Sequence, residues 1–159
     1  MKRIIMGVMM LILLGGCFNT PQGFHVQEPG GYNFTTGNQR DHYNYERYAN
    51  GRAVVTITLR MVDLPGMVYD PRFDPQALLM RIGWKDVTIV RDPITHRIGD
   101  LDLIELRVRD AQDASVTLWV INLDSPVDVW AEVRGNAEAQ IQAFEDWKEV
   151  WETLEFIYF

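Results

Sequence analysis

Residues 116–123 are apolar at both alternating sets of positions, and this constrains the fold more than any other stretch of the chain. A strand sends successive side chains to opposite sides of its sheet, so a strand apolar on both sides needs cover above and below. The surrounding stretches alternate instead. In 53–62, Val55, Ile57, Leu59 and Met61 take one face, and Thr56, Thr58 and Arg60 take the other. Ile104, Leu106 and Val108 alternate with Glu105, Arg107 and Arg109, and Val127, Val129, Ala131 and Val133 with Asp128, Trp130, Glu132 and Arg134. Shorter stretches of this kind occupy 24–27, 32–34, 43–45 and 87–91. Pro29-Gly30-Gly31, 37–41, Leu64-Pro65-Gly66 and 110–113 separate strands as turns.

Two segments have the helical repeat instead. Asp74-Pro75 supplies an N-cap followed by proline at the first helical position, Gly83 closes the helix, and Leu78, Leu79 and Ile82 form its apolar stripe. A longer helix is expected over about 136–154, with Ala137, Ile141, Phe144, Trp147, Trp151 and Leu154 on its buried face. The predicted class is α+β: an antiparallel sheet sandwiched with a short mid-chain helix and a long C-terminal helix. This order resembles the PsbP-like fold of photosystem II extrinsic subunits and small bacterial lipoproteins. The resemblance rests on Gly23-Phe24-His25-Val26, the strand 54–62, the helix 74–84, the pair 101–109 and 116–123, and 127–134 leading into the last helix. It implies a binding or assembly role without specifying which.

The N-terminus has a separate logic. Lys2-Arg3 precedes an apolar run over 4–14 that is too short to span a bilayer, and Leu14-Gly15-Gly16-Cys17 follows. The last four residues resemble the lipobox of bacterial lipoproteins. That resemblance implies a signal peptide over 1–16 and lipid attached covalently at Cys17, the single cysteine. Two or three acyl chains hold a protein firmly where one holds it marginally. Residues 17–23 then form a lipidated tether reaching about 20 Å, and 24–159 one domain. Phe18 stands where an aspartate would resemble an inner-membrane retention signal, so the expected location is the outer membrane, facing the periplasm, in a diderm host.

Removing Lys2 and Arg3 takes the formal charge from −7 to −9. An acidic surface repels phosphate backbones, so nucleic acid is not an expected partner. With Cys17 committed to lipid, no thiol is left for a disulfide, a metal or a nucleophile.

Catalytic patterns are missing from the sequence. Ser115 and Ser125 lack the glycine-flanked elbow of hydrolases and read as a strand start and a turn. His25, His42 and His96 fall in no zinc-binding spacing. His42 stands out, because Tyr43, Tyr45 and Tyr48 surround it with Arg40 and Arg47. His42, Tyr43, Tyr45 and Tyr48 form a candidate partner or sugar patch, alongside the plainer reading of tyrosines over a core rim. The acid pairs Asp70/Asp74, Asp100/Asp102 and Asp110/Asp113 read as caps and solvated turns. Arg107 and Arg109 share a strand face with Glu105, so cross-strand pairing is expected. Phe156 to Phe159 resemble a barrel sorting signal, but Glu155 breaks its alternation; the tail is expected to dock on the sheet.

The leading expectation is a non-enzymatic lipoprotein, without cofactor, that binds another envelope protein or component. The alternatives are an envelope hydrolase using dispersed His and Asp residues, marked by a pocket where a histidine meets an acid, and a module that sequesters a lipid or glycan.

Overall fold

The structure is a computed structural model and describes residues 21–38, 40–63, 74–121 and 127–158. The signal segment with Cys17, the Leu64-Pro65-Gly66 turn, Asp70 and Ser125 lie outside those residues. In chain order the elements are β1 (Gly23–His25), β2 (Asn33–Gly37), β3 (His42–Ala49), β4 (Arg52–Asp63), α1 (Pro75–Arg81), β5 (Thr88–Ile89) and β6 (Ile94–Ile98). They continue with β7 (Leu101–Arg109), β8 (Ser115–Ile121), β9 (Val127–Gly135), α2 (Ala137–Trp151) and β10 (Glu155–Ile157).

Strands β2 to β9 form one antiparallel sheet in the order β2-β3-β4-β9-β8-β7. Both β5 and β6 pair with the outer edge of β7: β5 takes Val108 and Arg109, and β6 takes 101–105. The chain is therefore α+β, an antiparallel sheet between one short helix and one long one. β8 takes the covered position that its double apolar pattern predicts. Val116, Leu118 and Val120 pack with Leu78 and Leu79 of α1 on one side. Trp119 and Ile121 pack with Trp147 and Trp151 of α2 on the other. Trp130 also turns to the α1 side and is buried there, so β9 is covered on both faces over part of its length.

The expected stripe of α2 is rotated. Its buried residues are Ala139, Gln140, Ala143, Trp147, Val150 and Trp151, while Ala137 and Ile141 face solvent and Phe144 is half-buried. The cause is polar. The Asn136 side chain accepts from the Ala139 N–H at 2.8 Å and caps the helix. The buried Gln140 amide donates to the Ser115 and Gly135 carbonyls and accepts from the Thr117 hydroxyl. These bonds satisfy every strong group of Gln140 against the sheet, and that fixes which side of the helix faces inward. Near the other end of the helix, Asp146 accepts from Tyr32 Oη at 3.0 Å and from Arg47 at 2.9 Å, clamping α2 to β3 and the segment before β2.

Two strands are additions to the sequence reading. β6 begins just after Pro93, and β10 pairs with β1 in a separate two-stranded ribbon, from which Phe156 packs against the core on the α2 side of the large sheet. The ribbon closes one end of the α2-side core, where Phe24 and Val26 are buried. The Phe24 N–H donates to the Arg40 carbonyl at 2.8 Å, and a Cβ on Gly23 would lie 2.7 Å from that oxygen, so this approach requires glycine.

Trp147 is fully buried, with ring centroids 5.3 Å from Tyr45 and 5.7 Å from Trp151. Trp147→Ala is expected to cost about 3–5 kcal/mol of unfolding free energy in urea titration.

Candidate functional site

The structure splits the tyrosine patch. Side chains alternate along β3, so Tyr43 and Tyr45 turn to the α2 side and are buried, while His42 is exposed on the opposite face. A bulge between Arg47 and Tyr48 breaks the register, and Tyr48 stands exposed, about half of its surface reaching solvent. The four residues therefore share no surface. Tyr43 and Tyr45 stack within 4° of parallel at 6.3 Å, and Phe34 meets both edge-on.

The two buried rings line a groove of about 350 Å³, whose other walls are His25, Val26, Gln27, Glu28 and Phe34. This lies at the lower end of the size range of small-molecule sites. The two phenols differ in their bonding. Tyr43 Oη donates to the Phe24 carbonyl at 2.7 Å. The Tyr45 hydroxyl makes no hydrogen bond among the described residues, and burial, reinforced by the charge of Glu28, pushes its pKa up to about 12. Tyr45 thus offers a neutral donor and acceptor in the wall of an aromatic groove rimmed by polar side chains. His25 joins this groove, whereas His42 and His96 lie elsewhere, and no three His, Cys, Asp or Glu residues converge on a metal position among the described residues.

A second constellation sits at the opposite edge of the sheet. Glu105, only 6% exposed at its side chain, receives three donors: Arg91 Nη2 at 2.5 Å, Arg107 Nε at 2.7 Å and His96 Nε2 at 3.0 Å. The division of the β7 edge creates it. β6 sets His96 opposite Leu103, and residues 90–93 cross the gap between β5 and β6, which places Arg91 beside Glu105. His96 packs on Phe144 at 4.5 Å, and a cavity of about 50 Å³ lies against Glu105, Arg107, Thr117, Trp119 and Phe144. Burial pushes the Glu105 carboxyl up. Hydrogen bonds from Arg107 and His96 and the charges of Arg107 and Arg91 outweigh it and hold the group below the ordinary glutamate range.

The sequence reading had Glu105 with Arg107 but not Arg91 or His96, because β6 was missing from it. The signal that could have found it is the alternation of Ile94, His96 and Ile98 with Thr95 and Arg97 after Pro93. His96 meets an acid, as the hydrolase reading requires, yet the adjoining cavity is small and no hydroxyl bonds the ring among the described residues. Ser115 is exposed at the start of β8. The remaining acids have structural partners: Asp74 caps α1 through the Ala77 N–H, Asp100 and Asp102 share Arg97, and Asp110 organises the 110–114 turn and pairs with Arg134.

No family model matches the chain, and no curated protein does. Among solved structures it is similar to the solution structure of cyanobacterial PsbP (CyanoP) from Synechocystis sp. PCC 6803. The two share 8% identity and a TM-score of 0.47, over 91% of this chain and 99% of that one. It is a distant likeness.

The two phenols should respond differently to losing their oxygen. Tyr43→Phe is expected to cost about 1 kcal/mol, the net value of a hydrogen bond, and Tyr45→Phe to stay within about 0.5 kcal/mol of wild type in urea unfolding. Glu105 should give the acid limb of stability its shape. Because its folded pKa is depressed, its contribution is complete above the ordinary glutamate range and is lost as pH falls through the folded value. Glu105→Gln is expected to cost about 2 kcal/mol at neutral pH, and the gap to wild type should close in acid when urea midpoints are followed against pH.

Proposed function

We propose that this chain is a lipid-anchored lipoprotein of the bacterial envelope whose domain acts by binding and catalyses no reaction. One observation carries the reading: Lys2-Arg3, the short apolar run and Leu14-Gly15-Gly16-Cys17 stand in the order that lipid attachment at Cys17 requires. β1 begins about six residues beyond Cys17, so the body is held within about 20 Å of the anchoring bilayer. Phe18 favours the outer membrane, facing the periplasm, in a diderm host. The partner is another envelope protein or envelope component, and the acidic charge argues against nucleic acid.

The groove at His25, Phe34 and Tyr45 supports a binding role. It combines the stacked Tyr43 and Tyr45 rings with a phenol hydroxyl that has no partner among the described residues and a polar rim, a chemistry suited to a neutral, hydroxyl-bearing ligand such as a saccharide segment. The sequestering alternative calls for an apolar cavity between sheet and α2, and Trp119, Trp147 and Trp151 fill that space, which argues against it. The hydrolase alternative has its histidine and carboxylate, but Glu105 is already engaged by two arginines.

Bacteria expressing the chain and fed a clickable palmitate should yield a labelled, membrane-bound protein. Cys17→Ser should remove the label and release the protein from washed membranes. Absence of label from the wild-type protein would overturn the reading.

A further inference from the structure

We propose that Arg91, Arg107 and His96 form a binding site for an oxyanion, the carboxylate or phosphate head of a small ligand, organised by Glu105 and bordered by Ile141 and Phe144. The site is independent of the lipid anchor and of the tyrosine groove, and it rests on an imbalance of charge. In the other ion pairs seen among the described residues, each arginine faces at least one carboxylate of its own: Arg97 has Asp100 and Asp102, Arg134 has Asp110 and Glu132, Arg47 has Asp146, and Arg109 has Asp113. At Glu105 the ratio inverts, with two guanidiniums and an imidazole sharing one carboxylate. One positive charge is left over even with His96 neutral, in a chain whose net charge is −7. Asp92, next along from Arg91, pairs with none of these groups.

The geometry leaves donors to spare. Arg91 reaches Glu105 with Nη2 and Arg107 with Nε. A guanidinium has five N–H donors in a fixed fork, so both side chains retain N–H groups without a protein partner among the described residues. Arg91 is 38% and Arg107 35% exposed at the side chain, so those groups meet solvent, while the buried Glu105 holds both stems in place. Such a pre-organised pair matches the two-oxygen edge of a carboxylate or phosphate. Beside it, Phe144 packs against His96 with the two rings tilted by 45°, and Ile141 stays 53% exposed on the turn of α2 that lines the adjoining cavity with Arg107 and Phe144. An apolar group attached to the anion would find cover there.

The test is calorimetric titration of the full chain in detergent with sodium phosphate and with sodium benzoate, at ionic strength matched by sodium chloride. Saturable binding of either anion, with a dissociation constant of about 1 mM or tighter, is expected. Tighter binding of benzoate marks an apolar carboxylate as the ligand, and tighter binding of phosphate marks a phosphate head. Arg91→Gln leaves Glu105 paired to Arg107 and His96, so the fold is retained, and it should weaken binding about tenfold. Ile141→Glu, at an exposed position, should weaken it comparably by placing a carboxylate at the rim. No saturable binding of either anion, or wild-type affinity retained in both variants, overturns the proposal.

Discussion

Burial of β8 on both faces is the constraint on which the remaining structure depends. Val116, Leu118 and Val120 need one apolar layer, and Trp119 and Ile121 need another, so the sheet folds only if helices arrive on both sides. α1 and α2 meet those demands from opposite faces. The cost is visible at the indoles. Trp119, Trp130 and Trp151 are buried with no partner for their ring N–H among the described residues. An unmet N–H costs about 1–3 kcal/mol, whereas burying an indole contributes about 4–6 kcal/mol from its apolar area. The rings therefore go inside with their N–H groups unmet.

Both candidate sites lie where the sheet runs out. At the β2–β3 edge, the 25–28 segment closes over Phe34, Tyr43 and Tyr45 and leaves a groove. At the β7 edge, two short strands divide the available ladder, and the crossing between them delivers Arg91 to Glu105. Unfinished edges invite pairing with another chain, and a short, divided, charged edge discourages it. The same device that protects the β7 edge gathers cations in an otherwise acidic protein. The polar clamps Asn136, Gln140 and Asp146 then set how α2 lies across the sheet and bring Phe144 against His96.

Much of the fold was legible from local pattern. The alternation in 53–62, the doubly apolar stretch as far as Ile121, the Asp74-Pro75 helix start and the 110–113 turn all took the expected form, because each depends on residues close together in sequence. The misreadings share one cause. Ile141 looked like part of the buried stripe because spacing alone does not say which side of a helix meets a sheet; Gln140, anchored to Ser115, Thr117 and Gly135, decided it. His42, Tyr43, Tyr45 and Tyr48 looked like one patch because they are neighbours in sequence, whereas the pleat and a bulge send them to different surfaces.

The sequence by itself determined a strand-rich α+β body, two helices with the Asp74 cap of the first, an acidic charge and the N-terminal pattern ending at Cys17. Only the tertiary structure decided that Glu105 gathers Arg91 and His96 along with Arg107, and that Tyr45 lines a groove. Hydrogen bonds and apolar contacts within an element follow from spacing along the chain. Those between elements depend on strand order and register, and these are settled by the packing of the whole.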